Sequence, residues 1–540
     1  MIFKRILMLL VFSVLCISLS AQFASFRSLS TAGLIDDNIE AILAVTEMPY
    51  VDGFNIFTNL SNFNYQSERI FFNGASNNYL VGFKGSIMDM FHLGFLSKSY
   101  GYSDGDSTNV ISTTYIDNNG DEQYDEFDTY ITDDIVNSGG NNSTNFLAFT
   151  FGKPQGVKAG LSYTNYRGIN DTNEFITEVS RDSNMISGDI LRLYNYWYDY
   201  NYVNPFTENS FTFNGAFSTE NIEIATNIGI GLFKDNYTYN ESDSFFEDLT
   251  PSGTGTTENV GYDISSYNYT QNGFNWNLGL KTYYRMNEDT FEFGGYFSNT
   301  NYEKTPYFED NVYFNQSISP GIVDDQIYSY KYSSSLGDSI STFVKSYLDW
   351  RFGGKFVKKL EKAHFAMGLI LSQSKYFYVD TMSYNYRIDR FYDNGDGLRN
   401  TTDYTYLETG TYTLEYAENG LSTILHLPVG IEYNFWGPLS GRLGAETYLI
   451  WDNDDTSLIY LAFDPGTQIF TYGDGSVYET LNDTISNRGD SFYQYHGFSR
   501  YTSFSYGIGW DISKNVKIDL MGFSNLTSLV NWSISANVKI

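Results

Sequence analysis

The sequence predicts an all-β fold: an antiparallel transmembrane β-barrel of about sixteen strands, with short turns at one end and long acidic loops at the other. Three observations predict it. The chain closes in strict alternation, Trp532, Ile534, Ala536, Val538 and Ile540 interleaving with Asn531, Ser533, Ser535, Asn537 and Lys539, which is the period-two pattern of a strand with one apolar face. The N-terminus carries an export signal. Between the two ends, stretches of roughly nine to thirteen residues, long enough for a tilted strand to cross a bilayer, are joined alternately by short and long links.

At the N-terminus, Lys4 and Arg5, the apolar run Ile6 to Leu19 and the small residues Ser20 and Ala21 before Gln22 read as a secretory signal peptide over 1–21. Cys16 lies inside it, preceded by Leu15 where a lipoprotein signal carries a small residue, so a lipid anchor is the weaker reading. Cys16 is the only cysteine, which removes disulfides, thiolate-bound zinc and thiol chemistry from the mature chain. Residues 22–52 form a short periplasmic or plug segment with one helical stretch, Asp36 to Leu43, whose acidic start suits an N-cap. Nothing after Leu19 is apolar for long enough to span a membrane as a helix, which leaves a barrel as the membrane-spanning option.

The barrel occupies 53–540, with candidate strands at about 53–66, 78–88, 91–102, 145–153, 157–166, 210–217, 222–234, 273–285, 290–299, 342–354, 363–373, 423–435, 441–451, 500–511, 515–523 and 529–540. Short links fall near 88–90, 154–156, 218–221, 286–289, 355–362, 436–440 and 512–514. Long ones fall at 103–144, 167–209, 235–272, 300–341, 374–422 and 452–499. This alternation is that of periplasmic turns and external loops, and it puts both termini on the periplasmic side. Fourteen or eighteen strands would also satisfy it if boundaries shift by several residues.

Composition agrees. Tyr 48 and Phe 43 against Pro 9 suit long strands with aromatic girdles. The formal net charge of −32 becomes more negative when Lys4 and Arg5 leave with the signal, and such acidity excludes nucleic acid as a partner. It suits a surface that holds divalent cations among anionic lipids of an outer membrane.

The strands sort into two faces. Leu425, Leu427, Val429, Ile431, Tyr433 and Phe435 oppose His426, Gly430, Glu432 and Asn434; Val344, Leu348, Trp350 and Phe352 oppose Lys345, Asp349 and Arg351; Leu443, Ala445, Leu449 and Trp451 oppose Arg442 and Glu446. The first sets are assigned to lipid and the second to the lumen. The lumen lining is thus Lys345, Asp349, Arg351, His426, Glu432, Arg442 and Glu446, with Lys84 and Lys158. Mixed charge suits polar or zwitterionic solutes over strong ion selectivity.

Two loop constellations stand out. Asp117, Asn119, Asp121 and Asp125, closed by Asp128, resemble a calcium-binding loop of the EF-hand type, although Glu122 stands at the glycine position and Asp128 replaces the bidentate glutamate. The plainer reading is a solvated acidic loop. Tyr194, Tyr196, Tyr198, Tyr200 and Tyr202 share one face of an extended segment with Trp197 on the other, a surface for sugars or partner proteins or, more simply, a continuation of the barrel wall. The four histidines, His92, His364, His426 and His496, stand without a hydrolase or zinc motif, so no enzyme is predicted. The run Lys355, Lys358, Lys359 and Lys362 reads as a periplasmic turn facing headgroups or a partner.

With its signal ending at Ser20-Ala21, its alternating strands and its acidic, tyrosine-rich loops, the chain resembles the outer-membrane β-barrels of diderm bacteria from about Gly53 to Ile540. Ile540 departs from the terminal aromatic that the barrel insertion machinery reads in many of them. The chain is also similar to the long-chain fatty-acid transporter group, in which a short N-terminal plug sits inside the barrel, a part that 22–52 could play. The resemblance implies an outer-membrane location, with lipid and the insertion machinery as partners. Two functions remain open. One is a porin-like channel or diffusion-type transporter for small polar or amphipathic solutes; the other is a barrel-anchored surface-binding or assembly protein whose loops engage a surface ligand or a second copy of the chain.

Overall fold

The closing alternation at the C-terminus finds its partner at the other end of the chain. The computed structural model describes residues 25–61, 77–87, 89–116, 126–184, 190–249, 257–286, 289–305, 308–319, 322–333, 343–393, 402–481, 489–523 and 532–540; the expected signal peptide, 1–21, lies outside them. The strands are β1 (Asn55–Ser61), β2 (Asn77–Ile87), β3 (Phe91–Ile116), β4 (Glu126–Phe151), β5 (Gly156–Asn184), β6 (Ile190–Ser218), β7 (Ile222–Leu249), β8 (Thr257–Met286), β9 (Asp289–Tyr302), β10 (Phe308–Ser319), β11 (Ile322–Ser333), β12 (Val344–Lys359), β13 (Ala363–Asp393), β14 (Tyr404–Trp436), β15 (Leu439–Tyr472), β16 (Val477–Leu481), β17 (Ser491–Ser513), β18 (Val516–Phe523) and β19 (Trp532–Lys539). All belong to one antiparallel sheet, and it closes: β1 pairs with β19 from Asn55↔Lys539 to Leu60↔Ile534 and with β2 on its other side.

Sixteen strands make the closed wall. β10, β11 and β16 stand beyond it. Near the short turns the order is β8, β9, β12, β13. Past Tyr302, the hairpin of β10 and β11 takes over, β10 pairing with β8 up to Ile318↔Glu258 and β11 with β13 up to Val323↔Asp393. β16 pairs with the distal stretch of β15, Thr467 to Thr471.

The wall is far taller than a membrane. β14 and β15 run for 33 and 34 residues, where about 9–11 suffice to cross. Much of what the sequence assigns to long loops is therefore strand: β3 continues to Ile116, β4 begins at Glu126, and β5 and β6 pair from Gly156↔Ser218 to Ser183↔Ile190. The cause is physical. Beyond the membrane the outer face meets water and the inner face mixes phenols with carboxylates and amides, so the hydropathy alternation fades, while the Thr, Tyr, Val and Ile that favour extended backbone persist. Lys355 to Lys359 likewise belong to β12, and the short link is 360–362.

Sidedness follows the alternation. On β7, Ile222, Ile224, Ile228, Ile230 and Leu232 are all exposed on the outer face, while Glu223, Phe233 and Asp235 are buried on the inner one. Leu278, Leu280, Phe213, Phe217, Leu443 and Val429 continue the outer band. Such an apolar belt on a closed sheet is the inverse of a soluble barrel and matches hydrocarbon. Aromatics rim it near the short turns: Phe91 packs 5.1 Å from Phe151 and 6.0 Å from Phe149, and Phe435, Trp436 and Trp510 stand exposed.

A charge in this belt must be costly and a charge on the opposite face cheap. We expect Ile228→Lys to destabilise the bilayer-inserted protein by about 2–4 kcal/mol and its inward neighbour Asn227→Lys by under about 1 kcal/mol. Reversible denaturant unfolding in vesicles measures both; equal costs would mean that the faces are misassigned.

Candidate functional site

The N-terminal segment lies in the end of the barrel that carries the short turns, and local sequence shapes it. Ser25 caps a single turn, α1 (Phe26–Leu29), by accepting from the Ser28 N–H. Asp37 caps α2 (Asn38–Leu43) in a full capping box, with the Glu40 carboxylate accepting in return from the Asp37 N–H. A 3-10 turn, Val45–Tyr50, follows. Ile39, Ile42, Val45 and Met48 are buried against Phe57, Leu80, Leu96, Phe146 and Ala148 of the wall, each worth about 1.5–3 kcal/mol relative to exposure.

Room for this segment comes from inward positions without side chains. A methyl group at Gly430 would overlap the Thr31 carbonyl, and one at Gly444 the Ala32 amide; at Gly94 it would strike Ile42 and Met48. The seat is therefore shaped for backbone approach.

Two chains of alternating charge run from the segment into the wall and back. In the first, Asp37 accepts from Lys517 at 3.0 Å, Lys517 lies 3.7 Å from Asp519, Arg442 bridges Asp519 and Glu432 at 2.6 and 2.7 Å, and Glu432 returns to Arg27 at 2.7 Å. His364, the cross-strand neighbour of Glu432, adds a contact at 3.2 Å. In the second, Asp36 meets Lys355 at 2.5 Å, Lys355 meets Glu292 at 3.1 Å, Glu292 meets Lys281 at 2.9 Å, and Lys281 lies 3.9 Å from Glu47. A third anchor is Tyr50, which donates to Glu223 while Glu223 pairs with the fully buried Lys158 at 2.8 Å. Lys84 donates to the Val51 carbonyl. Lys355 thus faces the lumen, which corrects its reading as a headgroup-facing turn residue.

Above the segment the inner face is polar and aromatic. Lys345, Tyr347, Asp349 and Arg351 occupy successive inward positions of β12, with the Ser298 hydroxyl donating to Asp349 at 3.3 Å. His426 lies 3.5 Å from Glu446 and stacks on Tyr448 at 4.2 Å, which stacks on Tyr501 at 4.8 Å. Higher still, two rows of rings follow the wall. The lower runs Tyr166, Phe206, Phe233, Tyr302, Tyr347 and Tyr376 at 5.6–6.5 Å spacing. The upper runs Tyr202, Tyr237, Tyr269, Phe343, Tyr378 and Tyr416 at 4.9–6.0 Å.

The five tyrosines from Tyr194 to Tyr202 lie on β6 with Trp197 on the opposite, exposed face; Tyr202 joins the upper row and Tyr198 donates to Glu241 at 3.1 Å. Of the calcium candidates, Asp117, Asn119, Asp121 and Asp125 lie outside the described residues, and Asp128 lies on β4 opposite Thr114 and Asp182. Sequence reasoning missed Arg27, Asp36 and Asp37 as partners of the lumen charges, and it missed the rings of β7, β9 and β12. A signal existed for part of this. Tyr-x-acid pairs such as Tyr378 and Asp380, or Tyr416 and Glu418, put a phenol and a carboxylate on one strand face, and both phenols donate to their acids.

No protein-family profile and no curated relative matches the sequence. Among solved structures, a ferric enterobactin receptor mutant of Pseudomonas aeruginosa is 8% identical with a TM-score of 0.28, over 91% of this chain and 81% of the other. The outer membrane transporter YddB of Escherichia coli is 9% identical with a TM-score of 0.22, over 91% and 81%. A FadL homologue of P. aeruginosa is 9% identical with a TM-score of 0.24, over 96% and 98%. At such scores the barrel architecture rests on this chain's own strand pairing and outer belt.

Two carboxyls of the segment titrate high. Burial, with Asp36 nearby, pushes Glu40 up to about 7; burial, opposed by Lys281 and aided by Asp36 and Glu292, pushes Glu47 up to about 7. Both hold more protons in the seat than free, where a glutamate titrates near 4.5, so their contribution to docking is full below about pH 4.5 and lost as pH rises through about 7. We expect amide exchange over Ile39 to Met48, corrected for intrinsic rates, to show more frequent opening at pH 8 than at pH 5. Glu47 Oε1 accepts no hydrogen bond among the described residues, so Glu47→Gln should reduce opening at pH 8 roughly three- to tenfold. A pH-independent opening rate in the native chain would refute this.

Proposed function

We propose that the protein is an outer-membrane channel or diffusion-type transporter for small polar or amphipathic solutes, gated at its periplasmic end by the N-terminal segment. One observation carries this reading. Among the described residues, 25–51 join the wall through side chains and close backbone approach, and none is part of the sheet. The segment can therefore leave without breaking a ladder hydrogen bond. A seat of ion pairs also responds to a competing charge, because removing one partner of a buried pair costs about 3–5 kcal/mol.

The outer-membrane location is supported by the apolar belt, and the periplasmic placement of the termini by their position at the short-turn end, since an exported chain inserts from that side. The insertion machinery and lipid are the partners this requires. Calcium at Asp117, Asn119, Asp121, Asp125 and Asp128 would offset the acidity of the tall hairpins; chelation would then speed proteolysis within 117–128, and equal cleavage with and without chelator would remove calcium from the picture.

Planar-bilayer conductance tests the gate. The native chain should be closed for most of the record. Arg27→Ala with Asp37→Ala, which cuts the first charge chain at both ends, should raise the open fraction at least about tenfold. Continued silence from a folded and inserted double variant would favour the second reading, a barrel that anchors a surface-binding face such as Tyr194 to Tyr202.

A further inference from the structure

Between the two aromatic rows lies a polar step. On β7 and β8 the upper row contributes Tyr237 opposite Tyr269, and the lower row Phe233 opposite Gly273, whose missing side chain leaves space for the Tyr302 ring. Asp235 and Gln271 face each other at the register position between them. Lys345 reaches this step from β12, 3.6 Å from the Asp235 carboxylate and 4.2 Å above the Tyr302 ring. Gln271 is fully buried; its amide N–H donates to the Glu303 carbonyl at 3.4 Å, and its Oε1 accepts no hydrogen bond among the described residues. A buried acceptor left open is costly unless something with a donor visits it. Beside it, where β9 leaves the wall, a notch of about 480 Å³ is lined by Phe233, Gly273 and Tyr302 with Leu232 and Phe274 of the outer face.

We infer that this step is a binding station for a neutral saccharide. The inference rests on the transporter reading and names its substrate class. Three ligand chemistries compete for an aromatic track with polar groups. A carboxylate amphiphile would approach past inward-facing Glu241, Asp380, Glu408 and Glu418 and would then meet Asp235, so like charge opposes it at each stage. An organic cation would meet Lys345, which already holds both the Asp235 charge and the Tyr302 ring face. A polyhydroxyl ring fits. Its hydroxyls donate to Gln271 Oε1 and Asp235, its oxygens accept from Lys345, and its C–H face packs on the tyrosines. Of the two rows, Phe206, Tyr376, Tyr269, Tyr378 and Tyr416 are only half-buried and offer faces to successive sugar rings, while Phe233, Tyr302 and Tyr347 pack together as their support.

The test is equilibrium binding to the full mature chain in lipid nanodiscs, by calorimetry, with maltohexaose, cellohexaose, xylohexaose and mannohexaose as neutral probes and laurate and spermine as charged ones. At least one neutral hexasaccharide should bind at millimolar concentration or below. Gln271→Met, Lys345→Met and Tyr302→Ala should each weaken it tenfold or more, while migration on unheated gels reports that each variant is folded. Binding of laurate or spermine with none of the four sugars overturns the inference, as does the failure of all four sugars, or sugar binding that Gln271→Met and Lys345→Met both leave unchanged. The transporter reading fails separately. Sugar binding with a barrel that never conducts keeps the station and removes transport, whereas openings of the Arg27/Asp37 variant without sugar binding keep transport and remove the sugar.

Discussion

The pairing of β1 with β19 is the constraint on which everything else depends. In hydrocarbon no water is available to an unpaired N–H or C=O, so a sheet can cross only if it has no edge. Asn55 to Leu60 hydrogen-bonded against Ile534 to Lys539 remove that edge, and three consequences follow. Both ends of the barrel chain lie at the short-turn end. The residues before β1 emerge at the mouth of the lumen. Alternation along each strand becomes a division between lipid and interior, so a single parity assigns every wall residue a medium.

The interior is then filled by two different kinds of chemistry at two heights. At the short-turn end, the segment meets glycines and paired charges. Its ions are tolerable because each interior member has an opposite charge within about 4 Å on either side and each end has one, in chains that begin and end on the segment itself: Arg27 to Asp37 through Glu432, Arg442, Asp519 and Lys517, and Asp36 to Glu47 through Lys355, Glu292 and Lys281. The ion pairs add position-specific contacts to the apolar packing of Ile39, Ile42, Val45 and Met48 on the wall. Burial raises the titration of Glu40 and Glu47 in the same seat to about 7, so Glu47 ends the second chain as a full ion only above that pH, which ties the strength of the seat to pH.

Farther from the membrane the wall changes character. Phenols and carboxylates alternate on the inner face, rings pack edge to face and in parallel across neighbouring strands, and the charge is strongly negative. Rings of neighbouring strands packed at these spacings stiffen a wall that has no lipid to support it. The same rows present the polar step of Asp235, Gln271 and Lys345.

The order of amino acids alone specifies whatever repeats with period two. The alternation at 423–435 or 532–540 fixes which face of β14 or β19 meets lipid, because a one-residue slip would place every apolar side chain in water, and the capping pair Asp37 and Glu40 is local enough to read directly. The height of the wall was not legible, because above the membrane the outer face is polar and the inner face interleaves tyrosines with acids and amides, so the polar–apolar contrast that marks a strand fades. The pairing of distant charges came only with the folded barrel. Arg27 and Glu432 are 405 residues apart, Lys517 and Asp37 are 480 apart, and only closure of the sheet brings them together. The same holds for Gln271, which looks like any polar residue of an extended segment until the neighbouring strands bury it with an acceptor unfilled.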